Sequence, residues 1–374
     1  MKILSLIATN IFLPICLVAA PPAHADSFRD KQWHLGALEV AKANAISKGQ
    51  GVTVAVVDTG VDVHPDLRRN LLRGTTLLTR KQDYGQVDHN GHGTQMASLI
   101  AAHGQGSSGV VGLAPAAKIL PVTVADQEGK GGGLDISEAI DWSTTHGADV
   151  INISLATAPS NALESAVTTT ISDDVLIVAG TGNKRQNVVA AYPAAMPGVL
   201  AVGASDRAAK HADLSVQSSN VQICAPGIGI ESADKDSGYW NGDGTSQATA
   251  IASGAAALVR AKFPDLSAPE VIHRLTATAT DVGPPGRDDE CGYGVLNIVK
   301  ALTADVPPLE GGTNSGIPTA PTGASSVPRK YPTDAAPEGD DGKVNVAALV
   351  GGGVGVVLLA GLVVVLAVRR RRRA

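Results

Sequence analysis

The stretch VTVAVVDTG, residues 52–60, decides the fold of this 374-residue chain. It is almost uninterrupted apolar sequence up to Val57, and then a carboxylate, Asp58, is followed by a turn dipeptide. A short apolar run of this kind predicts a strand that is buried on both faces, as in a parallel sheet covered by helices. We therefore expect a strand over 52–57 that delivers Asp58 to the carboxyl edge of the sheet.

Further apolar runs alternate with Ala-rich helical runs along the chain. The other predicted strands cover 118–124, 150–154, 175–179 and 199–203, and the predicted helices cover 134–147, 160–172 and 246–262. Alternation of strands and helices at this spacing indicates an α/β fold with a three-layer, doubly wound, mostly parallel sheet.

Charge is distributed unevenly. The formal net charge is −5, but five arginines at 369–373 and Lys2 are positive residues at the two ends, and discounting these six leaves −11. An acidic body is a poor partner for nucleic acid, so we expect no nucleic-acid binding.

The N-terminus has the pattern of a secretory signal peptide over 1–25. Lys2 is followed by a mostly apolar stretch at 3–20, and Ala-His-Ala at 23–25 matches an A-x-A cleavage site. An uncleaved membrane anchor is the alternative, although Pro14 interrupts the apolar stretch.

The C-terminal part is predicted to anchor the protein. Residues 346–368 carry no charge and are long enough to span a bilayer as one helix, and a basic tail follows at 369–374. Basic residues stay on the cytoplasmic side, so the C-terminus is expected in the cytoplasm and the body outside the cell membrane.

A Pro-, Gly-, Ser- and Thr-rich linker at 304–345 joins the anchor to the body at 26–303. A cell-wall sorting signal would need an L-P-x-T-G type sequence upstream, and none is present.

Two cysteines remain after the predicted signal peptide, Cys224 and Cys291. An even pair in an exported protein predicts one disulfide, with two separately buried thiols as the alternative.

Three segments carry chemistry: VVDTG around Asp58, NGHGT around His92 and GDGTSQA around Ser246. A serine hydroxyl needs a base within hydrogen-bond reach, and the base needs a third group that orients it. We expect His92 to be the general base, Asp58 to hold its tautomer, and Ser246 to be the nucleophile at a helix N-terminus. Two other histidines, His64 and His89, are expected to be surface or loop residues.

The order Asp, His, Ser and the local contexts resemble the subtilisin-like serine proteases over about residues 33–301. The resemblance implies that Asn183, in VLIVAGTGN, donates to the oxyanion. It also implies two substrate walls and the floor of the first specificity pocket. The walls are Gly131, Gly132 and Gly133 on one side and Ser154, Leu155 and Ala156 on the other, and the pocket floor is Gly180, Thr181 and Gly182.

Three positions depart from the family pattern. Ala250 stands where Pro is usual, Gln247 follows the nucleophile where an apolar residue is common, and Ala156 replaces a glycine. These changes affect expected efficiency and specificity rather than the catalytic atoms.

No cofactor or required metal is expected. The acidic run 288–290 is interpreted as a solvated turn, with calcium binding as the alternative.

The overall organisation is similar to that of the mycosins, membrane-anchored proteases of type VII secretion. A signal peptide, a short lead into the body, a Pro-rich stalk and one C-terminal membrane helix support this. The resemblance implies an extracytoplasmic endopeptidase that cleaves secreted or envelope proteins, with secretion-system membrane components as possible partners. A structural scaffold with little proteolysis is the alternative. An esterase is disfavoured because the G-x-S-x-G elbow is missing.

Overall fold

A seven-stranded parallel sheet forms the centre of the computed structural model, which describes residues 27–78, 83–106, 108–130, 133–186 and 189–309. The strands are β1 (Thr53–Asp58), β2 (Thr75–Thr76), β3 (Lys118–Thr123), β4 (Val150–Ile153), β5 (Leu176–Gly180), β6 (Leu200–Ser205), β7 (Ile223–Pro226), β8 (Ile230–Ala233) and β9 (Tyr239–Gly242). The sheet order is β2-β3-β1-β4-β5-β6-β7, and β8 and β9 form a separate antiparallel pair.

Helices cover both faces of the sheet. They are α1 (Phe28–Lys31), α2 (Trp33–Ala37), α3 (Val40–Ile46), α4 (His92–Ala101), α5 (Gly133–Thr145), α6 (Asn161–Ser172), α7 (Thr245–Lys262), α8 (Ala268–Ala277) and α9 (Ile298–Thr303). Val54 and Val56 of β1 point to the layer that contains α4 and α7, whereas Ala55 and Val57 point to the layer of α5 and α6. This two-sided burial explains why β1 is apolar at nearly every position.

The predicted α/β fold with a mostly parallel sheet is confirmed, and each of the five predicted strands lies within two residues of an observed one. The three predicted helices correspond to α5, α6 and α7. The short strand β2, the edge strand β7 and the hairpin β8–β9 were not predicted, because their two to four residues include polar residues or a proline and form no clear apolar run.

Helix α7 crosses the sheet beneath β4, β5, β6 and β7 and is buried over most of its 18 residues. Most of its buried side chains are small. Gly254 also allows a close approach to the loop before β3, because a β-carbon placed there would lie 2.9 Å from the β-carbon of Leu113. The helix therefore begins at the carboxyl edge of the sheet and carries Ser246 in its first turn.

The edge strand β7 is covered by a later segment of the chain. The amide of Cys224 donates to the carbonyl of Gly294 at 2.9 Å, and the amide of Leu296 donates to the carbonyl of Cys224 at 2.8 Å. The predicted disulfide between Cys224 and Cys291 is present, with 4.9 Å between the two α-carbons. It ties the covering segment to the edge and protects the edge from pairing with other chains.

The N-terminal segment, residues 27–37, lies along the side of the body. Arg29 donates to the carbonyls of Gly106 and Gly109, and Trp33 donates to the carbonyls of Ile228 and Gly229. Across the described residues, no hydrogen bond or ring contact joins this segment to Asp58, His92 or Ser246. His34 in this segment is fully buried.

The predicted membrane anchor lies outside the described residues, as do the predicted signal peptide, the basic tail and all of the linker after residue 309. Within the described ranges, no helix is long and apolar enough to cross a membrane. The last described helix, α9, ends at Thr303, where the predicted body ends.

Candidate active site

The carboxyl ends of three neighbouring strands bring the predicted site residues together. In the observed register Val57 pairs with Ile153, and Ile153 pairs with Ala179. Asp58, Ser154 and Gly180 therefore follow these residues side by side at one edge of the sheet, with neighbouring strands about 4.8 Å apart. Helices α4 and α7 also begin at this edge, as expected for a site in an open α/β sheet.

Asp58 and His92 form a short hydrogen bond. The Nδ1 atom of His92 lies 2.7 Å from Oδ1 of Asp58, and the same oxygen accepts from the amide of Thr59 at 2.8 Å. Asp58 is fully buried, whereas the side chain of His92 remains 26% exposed. With the proton on Nδ1 donated to Asp58, Nε2 of His92 is left as the proton acceptor.

The environment favours the charged imidazolium. Burial lowers the pKa of His92, but the charge and hydrogen bond of Asp58 and the charge of Asp88 raise it, and the net effect is a pKa above the ordinary value of 6.5. An imidazole stabilised in this way is suited to receive a proton from a hydroxyl group.

Two glycines set the position of His92, which is the first residue of α4. Gly91 has a φ of 106°, which other residues rarely adopt. A β-carbon on Gly93 would collide with the carbonyl oxygen of Gly60. The glycines are required by the backbone path between β1 and α4 rather than by space around the imidazole ring.

Ser246 is half-buried in the first turn of α7. Its hydroxyl donates to the carbonyl oxygen of Ser154 at 3.3 Å, and the hydroxyl of Ser154 donates to the carbonyl of Ser246 at 3.2 Å. Among the described residues no hydrogen bond joins Ser246 to His92. Catalytic hydrogen bonds are often long or misaligned in free enzymes, and a serine side chain rotates within nanoseconds.

Asn183 is held against the start of α7, as its predicted role requires. Its Oδ1 atom accepts from the amide of Thr245 at 3.1 Å and from the Thr245 hydroxyl at 3.3 Å. Nδ2 lies 3.5 Å from a β-carbon placed on Gly244 and makes no hydrogen bond within the described part of the chain. An amide donor and the free N–H groups of a helix N-terminus are thus directed to the region beside Ser246.

The predicted substrate walls are described only in part. Gly131 and Gly132 lie outside the described residues, and Gly133 is the first residue of α5. Ser154, Leu155 and Ala156 continue directly from β4; the first two are half-buried and Ala156 is exposed. Their roles in holding a substrate stay predictions.

Around the predicted pocket floor, Gly180 packs closely on α7, because a β-carbon there would lie 2.9 Å from Oγ1 of Thr249. Thr181 is buried and donates to the carbonyl of Val202 at 3.3 Å, and Gly182 has a φ of 98°. The small residue at 180 is therefore required by helix packing, and the pocket role of 180–182 stays a prediction.

His64 and His89 are both loop residues, as expected. His89 is exposed, but only 1% of the side chain of His64 is accessible. Its Nδ1 accepts from the amide of Asp66, and its ring packs edge-on against Tyr239. Burial lowers the pKa of His64 despite the nearby charge of Asp66. The sequence around His64 does not indicate the contact with Tyr239, because Tyr239 lies far along the chain, in β9.

Two of the three positions that depart from the family pattern, Gln247 and Ala250, lie within α7. Gln247 is buried beside the nucleophile, and its Oε1 atom has no hydrogen-bond partner among the described residues. Ala250 is fully buried in a regular helix that runs from Thr245. In the acidic run, Asp288 accepts from the amides of Glu290 and Cys291, so its carboxylate closes a turn.

Sequence reasoning missed the polar residues that support the site, chiefly Thr59, Asp88 and Thr245. Thr59 and Asp88 hydrogen bond to each other at 2.9 Å between β1 and α4, and Thr245 binds Asn183. An Asp four residues before a helix start was a usable signal for Asp88, since carboxylates are favoured at helix N-termini.

Comparison with known proteins agrees with this geometry. The profile of the Subtilase family, Peptidase_S8, matches residues 49–294. Subtilisin BL of Lederbergia lenta is 39% identical over 236 residues, which cover 63% of this chain and 86% of that protein.

Solved structures of secretion-associated proteases are also similar. MycP1 from Mycobacterium smegmatis is 27% identical with a TM-score of 0.67, covering 82% of this chain and 91% of that chain. The MycP3 protease from the type VII (ESX-3) secretion system is 32% identical with a TM-score of 0.63, covering 73% of this chain and 88% of that chain. This chain belongs to the subtilase family and is a subtilisin-like serine endopeptidase related to the mycosins.

Proposed function

We propose that the chain cleaves proteins through an acyl-enzyme formed on Ser246, with His92 as the base and Asp58 as its partner. The single observation that carries this proposal is the 2.7 Å hydrogen bond between a fully buried Asp58 and His92 at the edge of the sheet where α7 begins. A carboxylate in this position holds the imidazole in the tautomer that accepts a proton at Nε2.

The reaction begins when the hydroxyl of Ser246 leaves the carbonyl of Ser154 and turns to His92. As the oxygen of Ser246 attacks the scissile carbonyl carbon, its proton passes to Nε2 of His92. The oxyanion that forms is stabilised by Nδ2 of Asn183 and by the amide of Ser246. His92 then gives its proton to the leaving amine, and the acyl-enzyme remains.

Hydrolysis of the acyl-enzyme repeats these steps with water. His92 takes a proton from the water as its oxygen attacks the acyl carbon, and the proton then returns to the oxygen of Ser246 as the ester bond breaks. The side chains and backbone of this chain supply all of these groups, so the proposal assigns no metal or cofactor to the reaction.

We also propose a location and a setting for this activity. The apolar segment 346–368 and the basic residues after it would anchor the enzyme in the cell membrane with the body outside. The similarity to MycP1 and MycP3 supports a role in type VII secretion, with secreted or envelope proteins as substrates. An extended peptide would lie between the segments 131–133 and 154–156.

Fluorophosphonate labelling of the full-length chain tests the proposed nucleophile. The wild type should be labelled and Ser246→Ala should not, while Ser253→Ala, which removes another serine of α7, should label as the wild type does. Absence of labelling in a folded wild type would contradict the proposal and favour the scaffold alternative.

Cysteine accessibility tests the proposed topology. A membrane-impermeant maleimide added to intact cells should label Asn345→Cys and leave Ala374→Cys unlabelled until the cells are opened. Equal labelling of both variants in intact cells would contradict a single C-terminal span.

A further inference from the structure

Asp88 is a buried carboxylate that the reaction above does not use. Only 3% of the residue is exposed, and it lies in the loop that precedes α4. Two side chains and three backbone amides donate to it, all within 3.1 Å. The donors are the Thr59 and Thr94 hydroxyls and the amides of Asn90, Gly91 and Thr94.

This carboxylate connects both residues of the Asp58–His92 pair. Thr59, which donates to Asp88, also accepts from the amide of Gly93 at 2.9 Å. The amide of the same Thr59 donates to Oδ1 of Asp58, the oxygen that binds His92. Gly91 and Gly93 flank His92, so Asp88 and Thr59 hold the backbone on both sides of the imidazole.

A second carboxylate closes the network. The amide of Asp62 donates to the Thr94 hydroxyl at 2.9 Å, and Oδ1 of Asp62 accepts from the amide of Asp88 at 2.9 Å. The other oxygen of Asp62 accepts from the amide of Asp236. The loop after β1, the loop before α4 and the loop between β8 and β9 are therefore joined through Asp62 and Asp88.

The charged groups around His92 come from several elements. Asp58 lies at the end of β1, and Asp62 and Asp88 lie in the adjoining loops. Asp234 accepts a hydrogen bond from the side-chain amide of Gln95 on α4. Lys235 donates to the carbonyl of the exposed His89 and brings one positive charge. From α7, the partial positive charge of the helix N-terminus faces the same edge. Of these groups, Asp58 and Asp88 raise the pKa of His92.

We propose that Asp88 is a positioning residue, which holds His92 against Asp58 through Thr59 and places a negative charge in the loop that carries the imidazole. The inference rests on His92 as the general base. Five donors and no competing acceptor suit an ionised carboxylate, and hydrogen bonds to a charged acceptor are stronger than neutral ones.

Substitutions at Thr59 test the positioning role without changing any charge. Thr59→Val removes the hydroxyl between Asp88 and Gly93, and kcat/KM should fall on the order of tenfold, since small misplacements of a catalytic group are costly. Thr59→Ser keeps the hydroxyl and should restore wild-type activity. A Thr59→Val variant as active as the wild type, or a Thr59→Ser variant as impaired as Thr59→Val, would overturn the positioning role.

Asp88→Asn tests the electrostatic role, and the readout is the pKa of His92 in the full-length chain. Histidine NMR titration in a Ser246→Ala background, with the signal assigned by His92→Gln, measures this pKa without any need for proteolysis. Removal of the negative charge should lower the His92 pKa by roughly half a unit or more. Thr94→Val, which keeps the charge, and Glu270→Gln, which removes a helix-capping carboxylate on α8, should leave the His92 pKa unchanged.

The outcomes separate this inference from the proposed function. An unchanged His92 pKa in Asp88→Asn would overturn the electrostatic role even in a fully active enzyme. Conversely, a wild type without fluorophosphonate labelling would contradict the proposed function, while the NMR titration would still measure the effect of Asp88. If Asp88→Asn does not fold, the Thr59 pair still decides the positioning role.

Discussion

His92 and His34 are the same side chain in two different environments of one protein. His34 in α2 is fully buried, and neither ring nitrogen has a hydrogen-bond partner among the described residues. Burial lowers the pKa of His34 to about 3. His92 is also desolvated, yet the charges and hydrogen bond of its neighbours hold its pKa above 6.5. The comparison shows that a directly hydrogen-bonded carboxylate can outweigh the effect of burial on the pKa of a histidine, as it does at His92.

The largest effect is expected when the carboxylate that binds His92 is replaced. Asp58→Asn should lower kcat by on the order of 10⁴, because the amide favours the wrong tautomer of His92. It should also lower the pKa of His92, since burial remains and the main raising charge is lost. Peptide hydrolysis and histidine NMR titration measure the two effects.

The control for Asp58→Asn is Asp206→Asn, which changes a carboxylate that caps a turn after β6. It should alter neither kcat nor the pKa of His92. If the pKa of His92 stayed at its wild-type value in Asp58→Asn, the contrast with His34 would need another cause.

A smaller effect comes from the oxyanion side of the site. Asn183→Ala should lower kcat by about 10² to 10³, the range for loss of one oxyanion donor, for which a subtilisin is the worked case. Asn183 carries no charge. In the pH profile of kcat/KM, the midpoint of the acid limb should therefore be the same in Asn183→Ala as in the wild type. That midpoint should lie above pH 6.5, because His92 must be neutral to act and its pKa is raised.

A shift of that midpoint in Asn183→Ala would show that the acid limb reports a group other than His92. Asn220→Ala is a suitable control, because Asn220 is an exposed asparagine whose side-chain amide donates to the carbonyl of Ala195. It should change neither kcat nor the midpoint.

The smallest expected effect concerns stability and tests the His34 side of the comparison. The folded-state pKa of His34 is depressed, so the unfolded chain takes up a proton near pH 6.5 and the folded chain does not until about pH 3. The free energy of unfolding therefore falls as pH falls through this window, by about 2 kcal/mol between pH 7 and pH 5 from this residue. His34→Leu should remove that loss.

Urea unfolding at pH 7 and pH 5 measures the difference between wild type and His34→Leu. His64, His103 and His211, whose pKa values burial also lowers, are present in both proteins and cancel. The exposed His89→Gln should lose as much stability as the wild type. Equal losses in wild type and His34→Leu would show that His34 does not titrate as its burial requires.

Much of the fold could be predicted because the central strands are buried on both faces. Residues 52–57 are apolar in nearly every position, and this pattern identifies the strand without knowledge of its neighbours. The short strands β2, β8 and β9 depend on pairing partners that are distant in sequence or on a neighbouring turn, so their sequences carried too little signal.

The site, like the fold, contains residues that the sequence could predict and residues that it could not. Asp58, His92 and Ser246 could be proposed from local sequence because each lies in a segment with its own spacing of glycines and hydroxyl groups. Thr59 and Asp88 are ordinary loop residues in sequence, and only the approach of β1 to α4 turns them into a hydrogen-bonded pair. The buried state of His64 likewise depends on Tyr239 from β9.

By itself, the sequence determined the five central strands of the sheet, the three chemical groups and the pair of cysteines, because residue type and short-range spacing are enough for these. The tertiary structure decided the register that aligns Asp58, Ser154 and Gly180, the hydrogen bond of Ser246 to Ser154, and the opposite pKa shifts of His92 and His34. These depend on distances between residues far apart in the chain, and hydrogen bonds and charge interactions fall off within a few ångströms.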